Sequence, residues 1–346
     1  MSETSDWLIY GANGYTGELI AAEAVARGMR PILAGRSHDK VVRLASELDL
    51  PARVFPVNDP DLDGIGLVLH CAGPFSSTSA PMLEACLAAG VHYLDITGEI
   101  DVFEHAHAQH QGAVDAGVVV CPGVGFDVIP TDCVAAALSE ALPDATHLAL
   151  GFDTRMRLSP GTQKTSLESL GIGGRVRRDG KLVSAPMGGS TRRIDFGAGE
   201  KMAATIPWGD VATAYYTTGI PNIEVYVPSS PKRARSLRIA NLLRPILRGS
   251  MLQQMLKARV PQTGPDKQTR AASPVHVWGE VRNEAGDVRE ARIKTSNGYD
   301  LTVTGSLEFV GYLLSHRPAG GYYTPSQLLG PDLISKLPGC GPMVLS

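Results

Sequence analysis

Through the first 121 residues, short apolar runs alternate with stretches of helical period. Asp6–Tyr10 predicts a strand that stops at the glycine-rich turn Gly11–Gly17, G-A-N-G-Y-T-G, and a helix follows, closing at Gly28. Pro31–Ala34 and Arg53–Val57 predict the second and third strands, with a helix over Lys40–Asp49 between them. Gly66–Cys71 is apolar enough for a strand buried on both faces, and Ser79–Ala89 then turns helical. Strands over Val91–Ile96 and Val118–Cys121 flank one helix over Val102–Ala116. Strand and helix in strict alternation with short connections predict an α/β fold: a Rossmann-type, doubly wound parallel sheet.

Beyond Pro130 the pattern changes. A helix over Thr131–Ala141 gives way to longer alternating segments at Thr146–Asp153, at Gly174–Val183 around an Asp179-Gly180 turn, and at Ile223–Val227. Val275–Arg282 and Val288–Thr295 form the clearest hairpin, joined by Asn283–Asp287. These predict a second, α+β substrate domain on a largely antiparallel sheet. The expected division is 1–130 for the Rossmann domain and 131–302 for the substrate and dimerisation domain; a helix over Leu301–Ser315 follows, and family resemblance implies that about 303–346 packs back on the first.

The chain has 346 residues, 43% of them hydrophobic and 19% charged, which exceeds a single core and agrees with two domains. A formal charge of -3 offers no basic field for a phosphate backbone, so a nucleic-acid partner is not expected, whereas a small metabolite is. The N-terminal residues show no basic stretch followed by an apolar one, and no uncharged apolar run reaches membrane-spanning length. Cys71, Cys86, Cys121, Cys133 and Cys340 have no C-x-x-C spacing; buried thiols in a reducing cytoplasm are expected.

Chemistry enters at the turn. Glycines 11, 14 and 17 between a strand and a helix allow a tight turn, close approach of backbone to a pyrophosphate, and packing of helix on strand. The anion would sit on backbone N–H groups at the positive end of the helix dipole. An NAD site would end the second strand in an acidic residue; here the strand runs into Gly35-Arg36-Ser37, with Lys40 one turn later. A guanidinium grips a 2′-phosphate bidentately, so the expected cofactor is NADP(H).

Four blocks together resemble the saccharopine dehydrogenase-like superfamily, in particular its branch of NADP-binding oxidoreductases that includes trans-acting enoyl reductases. They are G-A-N-G-Y-T-G at 11–17, L-A-G-R-S at 33–37, C-A-G-P-F at 71–75 and Y-L-D-I-T-G-E at 93–99. P-G-V-G-F-D-V-I-P-T-D at 122–132 is similar to the family's junction into the substrate domain, and T-G-I-P-N at 218–222 and G-Y-D-L-T at 298–302 extend the likeness over nearly the whole chain. The resemblance implies that Gly11, Asn13, Gly14, Tyr15 and Thr16, with Gly17 behind them, line the pyrophosphate. It places Arg36 and Ser37 on the 2′-phosphate, Asn58 near adenine, and Cys71, Ala72, Gly73 and Pro74 under the ribose and nicotinamide. One departure is His70, where the family usually has asparagine.

Glu99 and Asp127 are the carboxylates best placed to relay a proton or orient a substrate. The competing expectation is that Glu99 caps the following helix and Asp127 its own. Ser159–Lys164 is a candidate rim, with Lys164 or Arg157 offered to an acyl or carboxylate group. Residues 231–260 carry eight basic and no acidic side chains, with apolar positions at helical spacing. Such a segment either touches an anionic membrane peripherally or buries its apolar side in the domain or a dimer interface, its arginines snorkelling. A homodimer is expected. His105, His107 and His110 do not share a helical face, so a solvated surface is expected there and no metal. The resemblance, together with the basic amphipathic segment, implies hydride transfer from NADPH to a polarised C=C of an enoyl, lipid-like or carrier-bound substrate. The alternatives are reduction of an imine, as by an amino-acid-type dehydrogenase, or a non-catalytic NADP-binding scaffold.

Overall fold

Strand β1 (Asp6–Tyr10) is buried from Trp7 to Tyr10, and β4 (Ile65–His70) along nearly all its length, as central strands covered on both faces must be. In the computed structural model, which describes residues 6–154, 163, 167, 173–242, 249, 253–256, 259–260 and 264–346, they pair parallel in the register Leu8↔Val68. With β2 (Ile32–Gly35), β3 (Ala52–Val54), β5 (His92–Asp95) and β6 (Val119–Cys121) they give the order β3-β2-β1-β4-β5-β6, every neighbouring pair parallel. The winding reverses between β1 and β4, where an open α/β sheet leaves a crevice beyond the carboxyl ends of its strands. Helices α1 (Tyr15–Ala26), α2 (His38–Leu48) and α3 (Phe75–Ala89) make the first crossovers.

Three local expectations change. Strand β3 ends at Val54 rather than Val57; Phe55 N–H still reaches Gly35 O, but Pro56 has no N–H to continue the ladder. Helix α3 begins at Phe75, not Ser79. The single helix expected over 102–116 is two, α4 (Ile100–Ala108) and α5 (His110–Ala116), which meet at Gln109. Their histidines form a solvated surface only in part: His110 is exposed, with Nδ1 accepting from Tyr322 N–H at 3.1 Å, while the half-buried His107 packs edge-on against Tyr322 at 5.1 Å.

Helix α6 (Ile129–Ala141) leads into the second sheet, ordered β10-β11-β12-β7-β13-β14-β16, with β8 (Gly174–Arg178) and β9 (Lys181–Ala185) branching from β12. Its pairs are antiparallel apart from β7 (His147–Asp153) beside β12 (Asn222–Pro228). The β8–β9 turn follows from Asp179 and Gly180, both at positive φ, as a two-residue hairpin loop requires. The hairpin β13 (Val275–Arg282) and β14 (Val288–Thr295) stands where the alternation predicts it. Strands β10 (Thr191–Asp195) and β11 (Glu200–Ile206) and helix α7 (Asp210–Thr218) were not foreseen.

Two compact units result: Met1–Ile129 with Tyr299–Leu329, and Pro130–Gly298 with Gly330–Ser346. The returning segment is therefore shorter than the 303–346 expected. Helix α10 (Gly298–Ser315), which follows α8 (Pro231–Leu242) and α9 (Lys267–Ala271), and strand β15 (Gly321–Tyr322), parallel to β6, supply it. The tail belongs to the second unit, where β16 (Val344–Leu345) pairs with β14. Of the basic segment, α8 and a few further residues are described; most of 243–258 lies outside the described residues. Among the described residues no helix is long and apolar enough to cross a membrane.

The second unit's core depends on a glycine. A Cβ at Gly279 would lie 2.5 Å from Val134 and 2.8 Å from Leu138 on α6, and 3.1 Å from Leu150 on β7. Gly279→Ala is therefore expected to cost about 1–3 kcal/mol through overpacking, read as a lower denaturant midpoint for the unfolding of that unit. A midpoint equal to or above that of the parent would refute this packing.

Candidate active site

Tyr10 ends β1, and the next residues turn sharply: Gly11 N–H and Ala12 N–H both donate to Ala34 O, and Gly14 N–H donates to Gly11 O at 3.0 Å. Gly11 has φ +82°, and a Cβ on it would lie 2.7 Å from Ala72 N, so the loops after β1 and β4 meet there with no room for a side chain. Gly17 is held as tightly, since a Cβ would stand 2.4 Å from Gly11 O. Gly14 is the N-cap of α1 in an extended conformation, with no side-chain cap. Such a helix start presents first-turn amides to an anion. The Asn13 carboxamide lies over Gly35, 2.8 Å from where a Cβ would be, and Tyr15 packs edge-on against Tyr299 at 5.0 Å.

Arg36 follows β2 directly and is exposed; Ser37 is the extended N-cap of α2, also without a side-chain cap bond. Lys40 on α2 and Asn58 in the turn after β3 are exposed at the same end of the sheet. Tyr10, which sequence reasoning missed, links these pieces. Its ring stacks on Phe55 at 5.2 Å and its hydroxyl donates to Phe55 O, while burial pushes its pKa up and the Arg36 guanidinium pulls against that.

Cys71 N–H donates to Tyr10 O at 2.7 Å, which starts the Cys71–Pro74 loop. The Cys71 thiol is held far above its ordinary range by burial and by nearby Asp95, so it is no nucleophile. Asp95 itself, at the end of β5, is fully buried and ties three elements together. It accepts from Thr97 N–H and Gly123 N–H, each at 2.9 Å, and from the Tyr93 hydroxyl at 2.8 Å. Burial raises its pKa to about 6 against those hydrogen bonds. Y-L-D-I-T-G-E contained it, but only the packed ends of β5 and β6 reveal its role.

Glu99 does not cap the helix that follows it. Its backbone is the N-cap of α4, yet no side-chain cap bond is made there; its carboxylate reaches α3, accepting from Phe75 N–H at 2.9 Å and Ser76 N–H at 2.7 Å. Thr97 Oγ1 accepts from Glu99 N–H at 3.1 Å and fixes the backbone. Asp127 lies in the turn before α6, anchored by Phe126 N–H donating to Thr302 Oγ1 at 3.0 Å. Its carboxyl rests on Gly98, where a Cβ would be 2.7 Å from Oδ2. Desolvation, then the charge of Glu99, raises the Asp127 pKa to about 7.

The predicted site residues thus collect in the first unit, at or just beyond the carboxyl ends of β1 to β6. Arg157, Lys164 and the rim loop lie outside the described residues, apart from Gln163. The glycine cradle and uncapped α1 fit a dinucleotide's diphosphate, and the cationic group after β2 fits an additional phosphate. A parallel sheet in the order 3-2-1-4-5-6 with such a turn defines a dinucleotide-binding protein of the Rossmann class.

Residues 7–121 match the family model of the saccharopine dehydrogenase NADP binding domain. These residues, a third of the chain, form an NADP-binding domain similar to that of saccharopine dehydrogenases. It is similar to a trans-acting enoyl reductase of Mycobacterium bovis, 32% identical over 140 residues, covering 37% of this chain and 34% of the relative. The human saccharopine dehydrogenase-like oxidoreductase is 30% identical over 150 residues, covering 36% of this chain and 35% of the relative. The match thus spans about a third of the length of these curated relatives, not the nearly whole chain that the blocks imply. The fold resembles that of saccharopine dehydrogenase (L-Glu forming) from Saccharomyces cerevisiae along 99% of this chain and 100% of that one, with a TM-score of 0.64 at 9% identity.

Proposed function

We propose that the chain is an NADPH-dependent reductase of a polarised C=C bond in an enoyl substrate, lipid-like or carrier-bound. The observation that carries this reading is Asp127: a carboxyl that titrates near pH 7, beside Glu99, at the strand ends where the dinucleotide turn also lies. Bound NADPH supplies the hydride. Gly11, Asn13, Gly14, Tyr15, Thr16 and Gly17 hold the diphosphate, and Arg36, Ser37 and Lys40 hold the 2′-phosphate. Asn58 borders adenine, while Cys71, Ala72, Gly73 and Pro74 carry the ribose and nicotinamide half. Asp127 donates its proton to the substrate atom that would otherwise keep the negative charge. Burial, and then repulsion from Glu99, keeps that proton on Asp127 near neutral pH, and by gripping the α3 amides Glu99 sets the loop before α3.

The enoyl assignment draws on the names of the relatives and is tested by mixing NADPH-loaded protein with enoyl thioesters and with cyclic imines in a stopped-flow instrument. Rapid loss of the reduced-nicotinamide absorbance with enoyl thioesters is expected. Turnover of imines alone would move the assignment to C=N reduction, and bound NADPH that stays reduced throughout would leave only the scaffold.

A further inference from the structure

His70 ends β4 with its side chain fully buried. Its ring stacks on Tyr10 at 5.5 Å, meets Phe75 edge-on at 5.4 Å and lies 6.2 Å from Tyr93. Its Nε2 is 3.0 Å from Thr78 Oγ1 on the first turn of α3. The Thr78 hydroxyl is itself 2.6 Å from Ala72 O and 3.1 Å from Pro74 O.

This geometry assigns the protons. A hydroxyl has one hydrogen, and both carbonyls can only accept, so Thr78 gives that hydrogen to the loop and accepts from the imidazole. His70 therefore carries its hydrogen on Nε2, and Nδ1 is left as a buried acceptor with no partner among the described residues. The hydrogen bonds so assigned form a relay that runs from β4 through α3 into the Cys71–Pro74 loop. Burial lowers the His70 pKa to about 3, so the imidazole stays neutral at any ordinary pH.

We propose that His70 is a positioning residue for the nicotinamide half of the cofactor, acting through Thr78 on the Ala72 and Pro74 carbonyls. The proposal rests on the reading that NADPH occupies this crevice. The relay touches the loop after β4 and none of the groups after β2, so it separates the two halves of the dinucleotide. Glutamine places an amide nitrogen at the reach of the imidazole Nε2 and can still donate to Thr78, whereas phenylalanine keeps the ring contacts and loses the donor.

The test compares NADPH with 2′,5′-ADP, the adenosine half alone, by calorimetry on the full chain. His70→Phe and Thr78→Val are each expected to weaken NADPH about tenfold, the value of one neutral hydrogen bond, and to leave 2′,5′-ADP binding unchanged. His70→Gln, whose amide nitrogen stands at the reach of the imidazole Nε2, is expected to keep NADPH affinity near that of the parent, and the double variant His70→Phe/Thr78→Val to be no weaker than either single one. Equal weakening of both ligands, or NADPH binding untouched by either single substitution, overturns the proposal. Should His70→Phe fail to fold, the Thr78→Val result decides alone. Parent protein that binds neither ligand would remove the cofactor reading, and this proposal with it, an outcome separate from any effect of the variants.

Discussion

Asp127→Asn is expected to lower kcat for the reductive half-reaction by roughly 10²–10⁴-fold, the usual value of a positioned proton donor, while NADPH affinity stays near that of the parent. The amide matches the neutral carboxyl in shape and cannot give up a proton to a developing carbanion. The pH dependence has a definite sign. Asp127 ionises near its ordinary value of 3.8 in the unfolded chain and near 7 in the folded one, so the native state binds the extra proton between those values. Its stabilising contribution is fully present below about 3.8 and is lost as pH rises through about 7. Asp95 adds a contribution of the same sign that is lost near pH 6. Catalysis should fall above pH 7 as the donor ionises, and the variant, already slow, should lack that limb. The variant should also unfold at a higher denaturant concentration than the parent at alkaline pH, where the parent must keep a desolvated carboxylate beside Glu99. Turnover within threefold of the parent would remove Asp127 from the proton path.

Why the carboxylates were visible in the sequence, but not their work, follows from where their partners lie. The strand, glycine turn and helix from Asp6 to Ala26 are local, and period and glycine spacing suffice to read them. The β13–β14 hairpin is local as well, each residue of one strand facing its mate in the other. Glu99, by contrast, acts on amides at Phe75 and Ser76, which no window around residue 99 contains. The same contact explains the missed start of α3: F-S-S-T offers poor helix formers, and the carboxylate that satisfies its orphan amides arrives from the far side of β5. Strand β10 was missed for another reason. In T-R-R-I-D only Ile194 is buried, so the alternation that marks a half-buried strand is too short to register. The contacts of His107 and His110 were not foreseen because their partner, Tyr322, returns to the first unit some two hundred residues later. Long-range returns of this kind leave no mark on local periodicity.

Arg36→Ala is expected to weaken NADPH about 100-fold, the effect of losing two charge-assisted hydrogen bonds at a partly solvated site, and to leave NADH nearly unchanged. The guanidinium stands free of the β2 ladder, one residue past Gly35, and its field reaches Tyr10 at the end of β1. It is therefore held at the mouth of the crevice rather than spent on the fold. Ser37 and Lys40 remain in the variant, so a residual preference for the phosphorylated cofactor should survive. Because the site is exposed, added salt screens the attraction, and the gap between parent and variant should narrow as ionic strength rises. Calorimetric titration of both dinucleotides at low and high salt measures all three effects. A parent-like preference for NADPH in the variant would place the 2′-phosphate elsewhere, whereas equal loss of both cofactors would mean that Arg36 supports the turn itself.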